Sequence, residues 1–170
     1  FISNCFYYKD IAQTMYFYAA RQPILDANKN LYAYELLFRD SIDNVFPEVD
    51  GDEATSKMIE ASKFNMGNND FTGNKPAFIN FTLETLIQGY PEMLTNEEVV
   101  IEILETIKPG KKLLNICKDL HSKGYTIALD DYIHQSVWSH FYPFIKMIKV
   151  DIRETTFKEI KEIIEAIKEY

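Results

Sequence analysis

Five successive short apolar runs each carry a polar intruder: Glu35 in LYAYELLFR, Asn80 in AFINF, Glu102 in EVVIEIL, the pair Asp130 and Asp131 closing YTIALDD, and Lys149 in IKMIKV. These runs read as strands over Leu31–Arg39, Ala77–Phe81, 98–104, 125–129 and 145–150, preceded by a strand over 16–25. Stretches of helical period fall between and after them. One covers 53–64 and stops at the turn residues 67–70, and a short one covers 83–88. Leu113, Leu114, Ile116, Cys117 and Leu120 mark a helix over 111–123 closed by Gly124, and Ile160, Ile163, Ile164 and Ile167 mark an amphipathic one at the end. Such alternation predicts an α/β fold with a largely parallel sheet. No GxGxxG turn follows a strand, which argues against a dinucleotide-binding sheet. One polar residue near the end of each strand is how a TIM-like (β/α) barrel assembles a site at its C-terminal mouth. Residues 1–15 show no period and read as a lead-in segment; 16–170 read as one barrel domain.

Charge narrows the ligand classes. The net charge is −8 and the basic residues are interleaved with acids, so nucleic acid is not an expected partner. An anionic ligand would need help from a divalent cation. No apolar run approaches a membrane span, and the first residues lack the pattern of a secretory signal, so a cytoplasmic protein is expected. Cys5 and Cys117 form no CxxC pair, and Cys117 sits among aliphatic residues as a small buried hydrophobe would.

Strand geometry gives the polar residues a direction. In Leu31–Arg39, Tyr32, Tyr34, Leu36 and Phe38 make one apolar face suited to packing under helices, while Glu35 and Arg39 share the other. Burying two charges costs several kcal/mol per ion unless they are paired or bound, so either a Glu35–Arg39 ion pair or a ligand site is expected. Singly, the later intruders could be helix caps or surface groups. Together they are hard oxygen donors with no His or Cys among them, the set that suits Mg²⁺ or Mn²⁺. Paired metals beside a lysine suit hydrolysis of a phosphodiester.

On these motifs the sequence resembles the EAL domain family, phosphodiesterases that linearise cyclic di-GMP. Arg21-Gln-Pro-Ile resembles the opening YQPI, Glu35-Leu-Leu-Phe-Arg39 stands for E-A-L-x-R, and Ile79-Asn80-Phe-Thr carries the strand asparagine. Glu102-Ile-Leu-Glu105 matches E-x-x-E, Asp130-Asp131-Tyr matches D-D-F, and Lys149-Val-Asp matches K-I-D. The resemblance implies an EAL-type barrel, of which about six of eight strands fall within this chain. It implies metal ligands at Glu35, Asn80, Glu102 and Asp130, catalytic roles for Lys149, Asp131 and Glu105, with Glu105 bracing the loop beyond the aspartates, and nucleotide contacts from Gln22 and Arg39.

The variants YELLFR and YTIALDDY resemble a subgroup that fuses a degenerate EAL domain to an HDOD domain and is regarded as regulatory. Where active members carry DDFGTGYSS, this chain reads Asp130-Asp-Tyr-Ile-His-Gln-Ser-Val-Trp138, without glycine, so the loop is expected to depart from the family shape. The later glutamate pair and glutamine of the family fall beyond Tyr170. Three functions follow: a signalling domain with weak or no turnover, a working phosphodiesterase once its remaining parts are supplied, or a ligand-free interaction scaffold. An open barrel edge also makes a homodimer an expected partner arrangement. His121 ends a helix, and His134 and His140 lack a third nitrogen or sulfur ligand; Ile133, Val137 and Trp138 read as a cleft cover or contact surface.

Overall fold

A computed structural model describes the backbone of residues 4–7, 18–39, 72–168 and 170 and the side chains of 20–37, 72–168 and 170. The helix expected over 53–64, with its stop at 67–70, lies outside the described residues. Seven strands form one sheet in sequence order: β1 (Asn4–Tyr7), β2 (Tyr18–Leu25), β3 (Leu31–Arg39), β4 (Ala77–Phe81), β5 (Val99–Ile103), β6 (Thr126–Leu129) and β7 (Met147–Ile148). β1, β2 and β3 pair antiparallel, and β3 through β7 pair parallel. The sheet therefore begins inside the segment read as a lead-in. The β2–β3 connection is tight because the Asp26 carboxylate accepts backbone N–H bonds from Asn28 (2.9 Å) and Asn30 (2.8 Å), an Asx-type turn, with Lys29 in the left-handed region.

In the parallel part each strand lies beside its successor, and β4 to β5 and β5 to β6 are bridged by α1 (Leu83–Ile87) and α2 (Lys111–Ser122). This is the serial βα winding of a barrel, here a curled, unclosed portion of one. The strands fall where the apolar runs place them, with one exception. The expected strand over 145–150 shrinks to two residues, although Lys146 N–H still donates to the Ile127 carbonyl and Lys149 N–H to the Leu129 carbonyl, both at 2.9 Å. α3 (Phe157–Ile167) starts at a capping box in which the Thr156 hydroxyl and the Glu159 carboxylate each accept the other's backbone N–H.

Alternation along the strands sorts the core into two layers. On the outer face Leu36, Ile79, Ile101, Ile103, Ile127 and Leu129 pack against Leu86 of α1, Leu113, Cys117 and Leu120 of α2, and Ile163 of α3. Cys117 is wholly buried, and burial pushes its thiol up to about 12. On the inner face Ala33, Phe78, Val100 and Ala128, joined by Ile24 and Met147, form a separate apolar cluster. Tyr32 does not pack under helices as expected; it is 43% exposed. α2 ends in a close fit: Gly124 has φ +84°, and a Cβ there would stand 2.9 Å from Asn96 Nδ2, which itself donates to the Lys123 carbonyl at 2.8 Å.

Candidate functional site

Two residues beyond each member of the inner apolar layer on the parallel strands stands a polar one: Glu35 after Ala33, Asn80 after Phe78, Glu102 after Val100, Asp130 after Ala128 and Lys149 after Met147. A spacing of two returns a side chain to the same face of a strand, so the apolar layer is a floor and these five residues are the layer above it, toward the C-terminal ends. Three of the carboxylates converge on the Lys149 ammonium. Its Nζ lies 2.7 Å from Glu102 Oε1, 2.7 Å from Asp130 Oδ1 and 3.3 Å from Glu35 Oε2. Asn80 lies beside Glu102 in the β4–β5 ladder. Backbone bonds fix the strand ends that carry these groups: Asp130 N–H donates to the Ile103 carbonyl (3.0 Å), and Tyr132 N–H to the Lys149 carbonyl (2.9 Å).

Electrostatics follows from three acids sharing one base. Glu102 has no exposed surface, and burial, reinforced by the charge of Glu35, raises its carboxyl to about 7 against the opposing pull of Lys149. For Lys149, burial pulls downward, but Glu102, Asp130 and Glu35 together lift the ammonium above its ordinary range. The lysine stays charged, and the excess negative charge is relieved at the most enclosed acid, which holds its proton more tightly than a free glutamic acid. Glu102 Oε2 is buried and has no hydrogen-bond partner.

Among the described residues, no group of three or more His, Cys, Asp or Glu side chains is arranged around a vacant metal position. The carboxylates face the ammonium instead. The donor chemistry nevertheless fits a hard divalent cation, because every donor is oxygen and the second oxygen of Glu102 is left unsatisfied.

The other expected site residues lie outside the ion pairs to Lys149, although Glu105 and Asp131 share a cavity with Asp130. Gln22 sits opposite Glu35 in the β2–β3 register but is exposed. Arg39 ends β3, and its side chain lies outside the described residues; the carboxylate of Glu35 is engaged by Lys149. Glu105 and Asp131 are exposed and line a cavity of about 460 Å³ with Ile107, Tyr132 and Trp138. Asp131 has φ +38°, so a left-handed turn does occur in the glycine-free loop, at an aspartate. Ile133, Val137 and Trp138, read from the sequence as a cleft cover or contact surface, all line this cavity; Trp138 is 6% exposed and packs at 4.9 Å from Phe141, whereas Ile133 is 71% exposed. His121 stands edge-on to Phe144 at 5.7 Å.

One group escapes the sequence reading. The hydroxyls of Tyr132 and Tyr142 share a hydrogen bond of 2.7 Å, and His134 Nδ1 lies 3.1 Å from the first. The signal was present: a tyrosine where the D-D-F pattern has phenylalanine brings a hydroxyl that must find a partner if it is buried.

No family model matches the chain. It is 42% identical over 141 residues to the cyclic di-GMP phosphodiesterase CdgJ of Vibrio cholerae, a match covering 82% of this chain and 33% of that protein. It is 35% identical over 153 residues to the uncharacterized protein YuxH of Bacillus subtilis, covering 87% of this chain and 37% of that one. The chain thus spans about a third of the length of these curated relatives. Among solved structures, the Klebsiella pneumoniae protein BlrP1 in a manganese and cyclic di-GMP complex superposes with a TM-score of 0.64 at 20% identity, over 98% of this chain and 49% of that one. The Bacillus subtilis YkuI protein with an EAL domain, in complex with cyclic di-GMP and calcium, gives 0.62 at 16% identity over 88% of this chain and 45% of that one. At such identities these structures speak for the fold. Serial barrel strands, one inner polar layer and 42% identity to CdgJ over 82% of the chain agree: the chain belongs to the EAL domain family.

Proposed function

We propose that this chain is the N-terminal part of the EAL barrel of a bacterial cyclic di-GMP signalling protein, one that binds the nucleotide with a divalent cation and turns it over slowly or not at all. The observation that carries the reading is the convergence of Glu35, Glu102 and Asp130 on Lys149 within 3.3 Å. In this reading Glu35, Asn80, Glu102 and Asp130 hold Mg²⁺ or Mn²⁺, which when bound would polarise a phosphodiester oxygen and lower the pKa of a water. Lys149 neutralises the acids and stands ready for a phosphate oxygen. Asp131 and Glu105 flank the cleft, and Gln22 and Arg39 contact the nucleotide from β2 and β3.

Weak turnover is supported by the loop after Asp130. Its hydrophobic and tyrosine side chains, rather than glycines, set its path, and Tyr132 and Trp138 are committed to the core. The kinship with CdgJ favours a second reading, an active phosphodiesterase. An HDOD domain elsewhere in the protein, a cytoplasmic location and a homodimer complete the proposal. Among the described residues, no helix is long and apolar enough to cross a membrane.

Calorimetric titration of cyclic di-GMP into the full-length protein, with Mn²⁺ and with a chelator, tests binding. Chromatography of the linear product tests turnover. Because the chain carries a net charge of −8, the dianionic ligand is expected to bind at least about tenfold more tightly with Mn²⁺. Turnover matching an active EAL enzyme would establish the second reading, and absence of any binding would leave a scaffold.

A further inference from the structure

Tyr132 follows directly on Asp131 and is held at both ends. It is 3% exposed. Its backbone N–H donates to the Lys149 carbonyl at 2.9 Å, joining the end of the strand that bears Asp130 to the residue that bears the ammonium. Its hydroxyl shares the 2.7 Å bond with Tyr142, and His134 Nδ1 lies 3.1 Å from the Tyr132 oxygen and 3.5 Å from that of Tyr142. Aromatic contacts enclose the pair: Trp138 stands edge-on to Tyr132 at 6.2 Å, and Tyr170 edge-on to Tyr142 at 5.5 Å. Asp131, at φ +38°, makes the turn between this anchored residue and Asp130.

We propose that the Tyr132–Tyr142 hydroxyl pair, braced by His134, positions Asp130 and Asp131 at the barrel mouth. Tyr142 and His134 make no ion pair with either acid among the described residues, so they act through Tyr132 as positioning residues. In a loop without glycine, side-chain anchors fix where the backbone runs. Releasing Tyr132 would release its bond to the Lys149 carbonyl, and with it the constraint that keeps Asp130 Oδ1 at 2.7 Å from the ammonium. The role for Asp130 rests on the metal-binding reading proposed above, and the test separates the two.

Tyr142→Phe removes one hydroxyl remote from the acids. The expected result is amide exchange at Tyr132 at least about tenfold faster and a Mn²⁺ dissociation constant at least about fivefold weaker, with the thermal midpoint within about 2 °C of the parent. Adding Tyr132→Phe removes the pair altogether and is expected to leave both readouts at least as far from the parent; recovery of the parent's values in the double variant would overturn the proposal. His134→Ala, at an exposed position, is expected to shift both in the same direction and serves if Tyr142→Phe does not fold. A purely structural role would lower the thermal midpoint and leave Mn²⁺ affinity untouched, which would overturn the proposal. If the parent protein takes up no Mn²⁺, the metal reading fails on its own, and unchanged exchange at Tyr132 then refutes the anchor.

Discussion

Glu102 enters the inner face of the sheet with no exposed surface, and its carboxyl titrates near 7 because burial and the neighbouring Glu35 outweigh the pull of Lys149. The folded state holds this proton more tightly than the unfolded chain, whose value is 4.5. Its contribution to stability is therefore complete below about pH 4.5 and is lost as pH rises through about 7, a change on the order of 3 kcal/mol. In metal-free protein, Glu102→Gln is expected to flatten that fall: denaturant titrations at pH 5 and pH 8 should show the parent losing more stability than the variant. Lys149→Met leaves three acids facing one another, and at pH 8 it is expected to cost about 3–5 kcal/mol by the same measurement. Much of this was legible in the sequence, since an acid amid Val and Ile on a strand demands a partner. The direct pairing was not legible: Lys149 was read among the polar residues of one mouth, but the ion pair expected for Glu35 was with Arg39. Lys149 lies 114 positions from Glu35, and only the curling of the sheet brings the two to 3.3 Å.

At the scale of elements, period and punctuation located β3 and β4 to the residue and placed α2 within a residue of its end. Period could not reveal pairing direction. The aromatic residues of 1–15 hide β1 because a short strand at the sheet's margin need not alternate cleanly, and hydropathy does not distinguish an antiparallel neighbour from a parallel one. β7 shows the converse, where an apolar run of strand-like composition keeps its ladder bonds but only two residues of regular strand. Gly124 was read as a helix stop, and the structure adds a second demand. Gly124→Ala would combine a strained left-handed backbone with a 2.9 Å approach to Asn96 Nδ2. The expected cost is about 1–3 kcal/mol in equilibrium unfolding, with Asn96→Ala in the same background recovering the part due to the clash.

For the molecule as a whole, the order of polar residues along the chain proved the most informative sequence feature, because in a barrel order along the chain becomes order around the mouth. The two-layer inner face, apolar floor beneath polar ring, follows from a spacing of two repeated on five strands. What remained hidden were contacts made by side chains that share no period, such as Tyr132 with Tyr142. One further property of the packing has a practical use. Cys117 lies at 0% exposure between helix and sheet, with a thiol that stays protonated at neutral pH, so no reagent can reach it while the two layers remain closed. In a Cys5→Ser background the disulfide exchange of Cys117 with an aromatic disulfide is expected to run at least about a thousandfold slower than that of a free thiol, and in step with denaturant. The protein thus carries its own clock for how often it comes apart.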